Sequence, residues 1–310
     1  MNESIWTGRI DDVADRATFR YHQVVETVDM HAAKDGCAII GFECEEGVRR
    51  NKGRLGSAKA PNALRTGLAN LPWRFPETTQ LFDVGNIACI GAELEAAQIQ
   101  LGKAVGTLLS NRVTPIILGG GHETLYGHYL GVREFLGPDA SLGIVNIDAH
   151  FDLRPYDEQS SSGTMFRQIL ENDANASYFV TGIQRYGNTQ ELFDRADLLG
   201  ATYIHEDEMI PGQLENLMDS LDAFMDKHDA VMLTLCTDVL NAAFAPGVSA
   251  TSPFGIEPST VRAIIRKVTG HEKTRSFDIC EVNPALDENG KTVKLGAYFV
   301  NEAIAAFMKN

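Results

Sequence analysis

The 310-residue sequence contains no uninterrupted apolar run approaching the roughly 20 residues that span a bilayer. Met1 to Asp12 also lack an apolar core of signal-peptide length. These two absences set aside membrane-spanning and secreted classes, and a cytoplasmic protein is the expectation. Positive charge is scarce: Lys+Arg is 27 against Asp+Glu 42, a formal net charge of −15. A field of that sign repels phosphate backbones and anionic lipid, so the expected partner is a small-molecule substrate rather than nucleic acid or a membrane. Cysteine is sparse as well. Cys37, Cys44, Cys89, Cys236 and Cys280 are odd in number and form no C-x-x-C pair. That excludes a disulfide framework or a zinc ribbon and leaves most of them as small apolar residues. There is no internal repeat, low-complexity tract or Pro/Gly-rich linker to divide the chain.

What is present is a rhythm. Apolar runs at 37–42, 113–118, 142–148, 178–183, 230–236 and 275–280 are nearly continuous rather than alternating, as strands covered on both faces require. Between them, Glu93 to Leu109 places Leu94, Leu101, Val105 and Leu108 on one helical face. Ser57 to Leu68, with Pro61 in its first turn, and the stretches 258–268 and 295–309 also suit helices. Alternation of this kind implies a three-layer α/β/α sandwich around a mainly parallel sheet, with function at the carboxyl ends of the strands.

Polar motifs fall at those ends. Leu118 is followed by Gly119-Gly120-Gly121-His122-Glu123. Alone, this is equally a glycine turn whose histidine caps something; it lacks the Lys-Ser/Thr ending of a P-loop. The next strand ends in Asp148-Ala149-His150-Phe151-Asp152. Spacing by two puts Asp148, His150 and Asp152 on one side of an extended strand end. Two carboxylates and an imidazole gathered there repel and resist desolvation, and bound cations relieve both costs. Cys236 and Asp238 share a side in the same way at the end of a later strand.

The GGGHE, D-A-H-x-D and D-V-L-x-x-x-F-A-P-G stretches, in this order, resemble the ureohydrolases, the family of arginase, agmatinase and formimidoylglutamase. The likeness runs from about Gly36 to the C-terminus. It implies a single arginase-like domain over 1–310, an eight-stranded parallel sheet, two Mn²⁺ per subunit and assembly into a homo-oligomer. Residues 1–35 are then an N-terminal extension packing on that domain. Carried over by position, His122 and Asp152 bind one manganese, His150 and Asp238 the other, and Asp148 bridges them. The second bridging carboxylate of the family falls on Cys236. Manganese prefers oxygen donors, so this cysteine implies weaker or asymmetric loading. Cys44 follows the first strand. A Cys44–Cys236 disulfide that blocks metal binding and two unrelated thiols are the alternatives there.

Within the family, Gly47-Val-Arg-Arg-Asn-Lys-Gly-Arg54 is similar to the G-V-R-R-N-x-G-R signature of formimidoylglutamases. Ser162 and Phe166 stand where agmatinases and arginases carry a histidine. The implied activity is hydrolysis of N-formimidoyl-L-glutamate to L-glutamate and formamide by a metal-activated hydroxide. Glu281 would hold the amidinium, and Asp152 would pass a proton to the departing nitrogen. A substrate with two carboxylates needs cations. Among Arg49, Arg50, Arg154 and Arg185, the substrate-binding candidates are Arg154 and Arg185, joined by Asn283 beside Glu281. Two alternatives stay open: an agmatinase or guanidinobutyrase, and a catalytically weak metal-binding homologue. His128, His205 and His271 lack ligand-spaced partners and are expected to be structural.

Overall fold

In the computed structural model, residues 5–210 and 214–309 are described. Their strands are β1 (Glu26–Thr27), β2 (Gly36–Glu43), β3 (Leu81–Ala88), β4 (Val113–Leu118), β5 (Leu142–Ile147), β6 (Ala176–Ile183), β7 (Thr202–His205), β8 (Ala230–Cys236) and β9 (Thr274–Cys280). They form one nine-stranded sheet in the order β1-β3-β2-β4-β9-β8-β5-β6-β7. Every pairing is parallel. The expected count of eight is exceeded by one, and the smallest addition is the two-residue edge strand β1.

The helices are α1 (Glu46–Arg50), α2 (Ala60–Ala69), α3 (Leu94–Ser110), α4 (Thr124–Leu136), α5 (Met165–Asn172), α6 (Gln190–Leu198), α7 (Leu214–Met225), α8 (Pro258–Thr269) and α9 (Lys291–Phe307). Two apolar cores, one on each face of the sheet, explain the continuous hydrophobic runs. Leu64 and Leu68 of α2, Leu221 of α7, Ile264 of α8 and Ile304 of α9 pack with Ile116, Val145 and Leu233. Leu101 of α3, Leu125 of α4, Ile169 of α5 and Leu192 of α6 pack on the other face with Ile117, Ile144 and Met232. Alternate residues of each central strand feed opposite cores, so both sets are apolar.

The strands that the hydrophobic pattern misses are β1, β3 and β7, at or next to the sheet edges. β3 is interrupted by Asp83, Gly85 and Asn86. Asp83 is buried against Arg65 of α2 and accepts the indole N–H of Trp6 at 2.7 Å. Trp6 and Tyr21 belong to the α2-side core, and Tyr21 donates to Asn301 of α9. Helix α9 begins four residues earlier than its apolar periodicity suggests. The Asp287 carboxylate accepts the amides of Thr292 and Val293 and so caps a first turn that carries lysines. Helix α4 lies so close to α3 that a Cβ on Gly131 would meet the Gly102 carbonyl at 2.4 Å. Among the described residues, no helix is long and apolar enough to cross a membrane.

Candidate metal centre

Four neighbouring central strands, β4, β9, β8 and β5, end at one mouth, and each contributes to it. After β4 the glycine loop is threaded tightly: Gly121 N–H donates to the Cys44 carbonyl, and a Cβ on Gly120 would lie 1.8 Å from that oxygen. Only glycine passes there. The loop delivers His122, whose amide donates to Glu281 Oε1 at 3.0 Å. Glu281 follows β9 directly.

The D-A-H-x-D residues converge for a different reason from the one their spacing suggests. β5 ends at Ile147, and the chain bends at residues 149–150 rather than continuing as an extended strand. Asp148 Oδ1 accepts the amide of His150 at 2.8 Å, closing a local turn. Asp152 takes a left-handed backbone, φ 51°, which returns its carboxylate to His122 Nδ1 at 2.8 Å. Past β8, a 3-10 turn over Thr237–Val239 brings Asp238 back beside Cys236, whose thiol donates to Asp238 Oδ1 at 3.0 Å. Asp152 and Glu281 (φ 64°) are both non-glycine residues in a costly backbone region, a strain that clusters at functional sites.

Two groups of side chains have geometry suited to a cation: His122, Asp148 and Cys236, and Asp148, His150 and Asp238, with the donor atoms of each within 4.8 Å of one another. Asp148 belongs to both. His122 Nδ1 lies 3.0 Å from Asp148 Oδ2, and His150 Nδ1 lies 3.3 Å from Asp238 Oδ2. Burial alone would raise the Asp148 carboxyl, but hydrogen bonds from His122 and His150 outweigh it and hold it below its usual range. Both imidazoles are correspondingly held as cations: burial opposes this, yet the carboxylates around them prevail. Burial, followed by the Asp148 charge, raises Asp152. Burial and then the charges of Asp148 and Asp238 push the Cys236 thiol well up. Glu281 is pushed up to about 8 by burial, then by Asp238 and Glu123. Each anion here destabilises the next, and the two imidazolium ions compensate only in part. Oxygen and imidazole donors crowded with excess negative charge match hard divalent cations such as Mn²⁺.

The sequence model of the Arginase family matches residues 35–306. The chain belongs to the arginase family. It is 62% identical to the formimidoylglutamase of Lysinibacillus sphaericus (strain C3-41) over 304 residues, covering 96% of this chain and 94% of the relative. Its fold is similar to that of the formimidoylglutamase of Bacillus subtilis, with TM-score 0.86 and 22% identity over 95% of this chain and 93% of that one. A Trypanosoma cruzi formiminoglutamase solved with Mn²⁺ has TM-score 0.80 and 22% identity, over 91% of this chain and 97% of that one.

The cavity above this arginase-family site has a volume of about 140 Å³. His122, His150, Asp152, Cys236, Asp238 and Glu281 form its floor, with Arg154, Asn51, Ser162 and Ser249 among the residues on its walls. Of the four arginines near this sheet edge, only Arg154 lines it. Arg49 is paired with Glu46, and Arg50 is held by Glu46, Glu95 and the Ser160 carbonyl. Arg185 is exposed beside Asp207 and does not reach the cavity wall. Asn283 is wholly buried and holds the carbonyls of Arg54 and Leu55, so it braces the 54–55 loop instead of facing substrate. Asn51, whose backbone ends α1, is a wall residue that sequence reasoning passed over, although the R-R-N-x-G-R stretch contains it. Cys44 faces another cavity, which it shares with Cys89, and is within hydrogen-bond reach of that residue. Among the described residues all five cysteines are unpaired.

Proposed function

We propose that this chain is a formimidoylglutamase, hydrolysing N-formimidoyl-L-glutamate to L-glutamate and formamide with two Mn²⁺ per chain. The observation that carries the chemistry is Asp148, shared by two cation-suited groups. The 62% identity to a formimidoylglutamase supports the substrate.

His122 and Asp152 would hold one ion and His150 and Asp238 the other, with Asp148 and Cys236 shared between them. When bound, paired divalent ions acidify water at neutral pH and neutralise these carboxylates. Glu281 has one oxygen fixed by the His122 amide. The other is left to orient the amidinium of the substrate over the floor. Asp152, anchored to His122, is placed to carry a proton to the glutamate nitrogen as its bond to the formimidoyl carbon breaks. Water supplies the oxygen of formamide, and the nitrogen leaves as the amine of glutamate. Arg154, with Asn51 and Ser162 beside it, supplies the cation and donors that a dicarboxylate substrate needs at the wall. A cationic substrate such as agmatine would meet the wrong sign of charge there.

Residues 1–35, of which 1–4 lie outside the described residues, are read as an extension on a single arginase-like domain, supported by the packing of Trp6 and Tyr21. A homo-oligomer and a cytoplasmic location belong to the same reading, with light scattering and cell fractionation as their tests. The decisive assay incubates freshly reduced, manganese-loaded protein with formimidoylglutamate, arginine and agmatine. Formamide and glutamate from the first alone are expected; urea from either of the others would overturn the assignment.

A further inference from the structure

Behind the proposed metal centre lies a second set of buried polar groups that the reaction does not use. His122 Nε2 is 3.0 Å from Thr234 Oγ1 in β8. The Thr234 hydroxyl donates to Asp278 Oδ1 in β9 at 2.6 Å. Asp278 Oδ2 is 2.5 Å from Nδ1 of His128 in α4, and His128 Nε2 is 2.5 Å from Ser276 Oγ. Cys280 adds its thiol to Asp278 Oδ1 at 3.1 Å. Thr234, Asp278, His128 and Ser276 are all fully buried. Thr234 and Asp278 are direct partners in the parallel register of β8 and β9, so the sheet itself sets their separation.

We infer that Thr234, Asp278 and His128 form a positioning relay that fixes the ring of His122 for metal binding; this rests on the two-manganese reading above. A threonine hydroxyl has one proton. Thr234 gives it to Asp278, so its oxygen can only accept from His122, and Nε2 must carry hydrogen. Nδ1 is therefore the nitrogen that faces Asp148 and Asp152 and donates to the ion. The far end of the relay closes on the same segment. His128 lies six residues after His122, and its Nδ1 proton on Asp278 ties α4 to the carboxylate that holds Thr234. The glycine loop fixes the backbone at His122 but not the plane of its ring; the relay supplies that constraint. Such outer hydrogen bonds set the tautomer and ring plane of metal-binding histidines, and their loss weakens metal affinity about 10–100-fold.

The test is manganese titration of reduced, metal-free protein by calorimetry, with electron paramagnetic resonance counting free ion, in wild type, Thr234→Val and Thr234→Ser. Valine keeps the branched shape without the hydroxyl; serine keeps the hydroxyl. Expected is a loss of about 10–100-fold at one of two ions in Thr234→Val. The other ion should stay near its wild-type affinity, and Thr234→Ser should restore the first. Asp278→Asn should weaken the same ion. Equal affinities in wild type and Thr234→Val would overturn the relay, as would equal weakening of both ions or a Thr234→Ser protein as weak as the valine variant. Wild type that takes up no manganese would overturn the metal reading itself, and the relay with it.

Discussion

Two buried charge clusters in this molecule differ in balance. In the first, Arg65 and Asp83 face each other with nothing left over. Arg65 donates to both Asp83 oxygens, to Asn86 and to the Gly85 carbonyl, while Asp83 also accepts from Trp6 and the Gly85 amide. One cation meets one anion, and every donor has a partner. In the second, Asp148, Asp152, Asp238, Glu281 and Cys236 crowd two imidazoles, and two of the backbones are strained. The first cluster is complete as it stands and serves to pin the N-terminal segment and α2 to β3. The second sets three aspartates against two imidazolium ions and is left with excess negative charge. Saturation marks a structural cluster and imbalance a functional one.

Breaking the imbalanced cluster should affect chemistry most. Asp152→Asn keeps the side-chain shape but removes both the charge beside His122 and the proton carrier. Turnover should fall about 10²–10⁴-fold, the range for losing a placed acid or base. Stopped assays of formamide release at saturating manganese read this directly; activity within a few-fold of wild type would remove Asp152 from the reaction. The balanced cluster should answer in the opposite way. Asp83→Ala strands the buried guanidinium of Arg65 and should cost about 3–5 kcal/mol of stability. Chemical denaturation measures that loss, while manganese bound per folded chain should not change.

A pH experiment sharpens the contrast. The Glu281 carboxyl is pushed up to about 8 in the folded, metal-free protein by burial and then by the neighbouring Asp238 and Glu123 carboxylates, against an ordinary value near 4.5. The folded chain therefore binds the proton more tightly than the unfolded chain. Stability from this group is present below about pH 4.5 and is lost as pH rises toward 8. Glu281→Gln cannot ionise, yet its amide oxygen still accepts the His122 N–H. The variant should match wild type at low pH and gain on it progressively between pH 4.5 and 8. The gain should level off above that range at no more than roughly 3–5 kcal/mol. Parallel stability curves for the two proteins across that window would show that Glu281 is not the strained acid described here.

The same contrast explains what the sequence disclosed. The central strands were legible because two apolar cores demand unbroken hydrophobic runs, and the metal-centre motifs because Asp and His at strand ends are chemically conspicuous. Residues whose partners are distant in sequence were not legible. Arg50 looks like a substrate cation until Glu95 and Ser160 are brought to it, and Asn283 looks like an active-site amide until the 54–55 carbonyls arrive. Asp148, His150 and Asp152 do converge, through a turn and a left-handed residue that alternation by two does not foresee. Thr234 and Asp278 become neighbours only through the β8–β9 register, which neither strand reveals alone.

Cys236 gives the smallest expected effect and the finest test of charge balance. Its thiol is held protonated by burial and by the carboxylates of Asp148 and Asp238, so in the metal-free site it adds no negative charge. With Asp148, Asp152 and Asp238 ionised, two divalent cations would face three carboxylates, and the position between them would offer a soft, neutral donor that manganese binds poorly. One ion of the pair should therefore be held more weakly and be removed first by a chelator. Cys236→Asp restores a hard oxygen donor and the fourth negative charge. It should tighten the weaker ion by roughly tenfold and bring the two dissociation steps together. Calorimetric titration of both proteins after reduction reads the two steps. If wild type already binds two ions with one affinity, or the aspartate variant binds them more loosely, the cysteine enters the site as a thiolate whose charge the aspartate merely replaces.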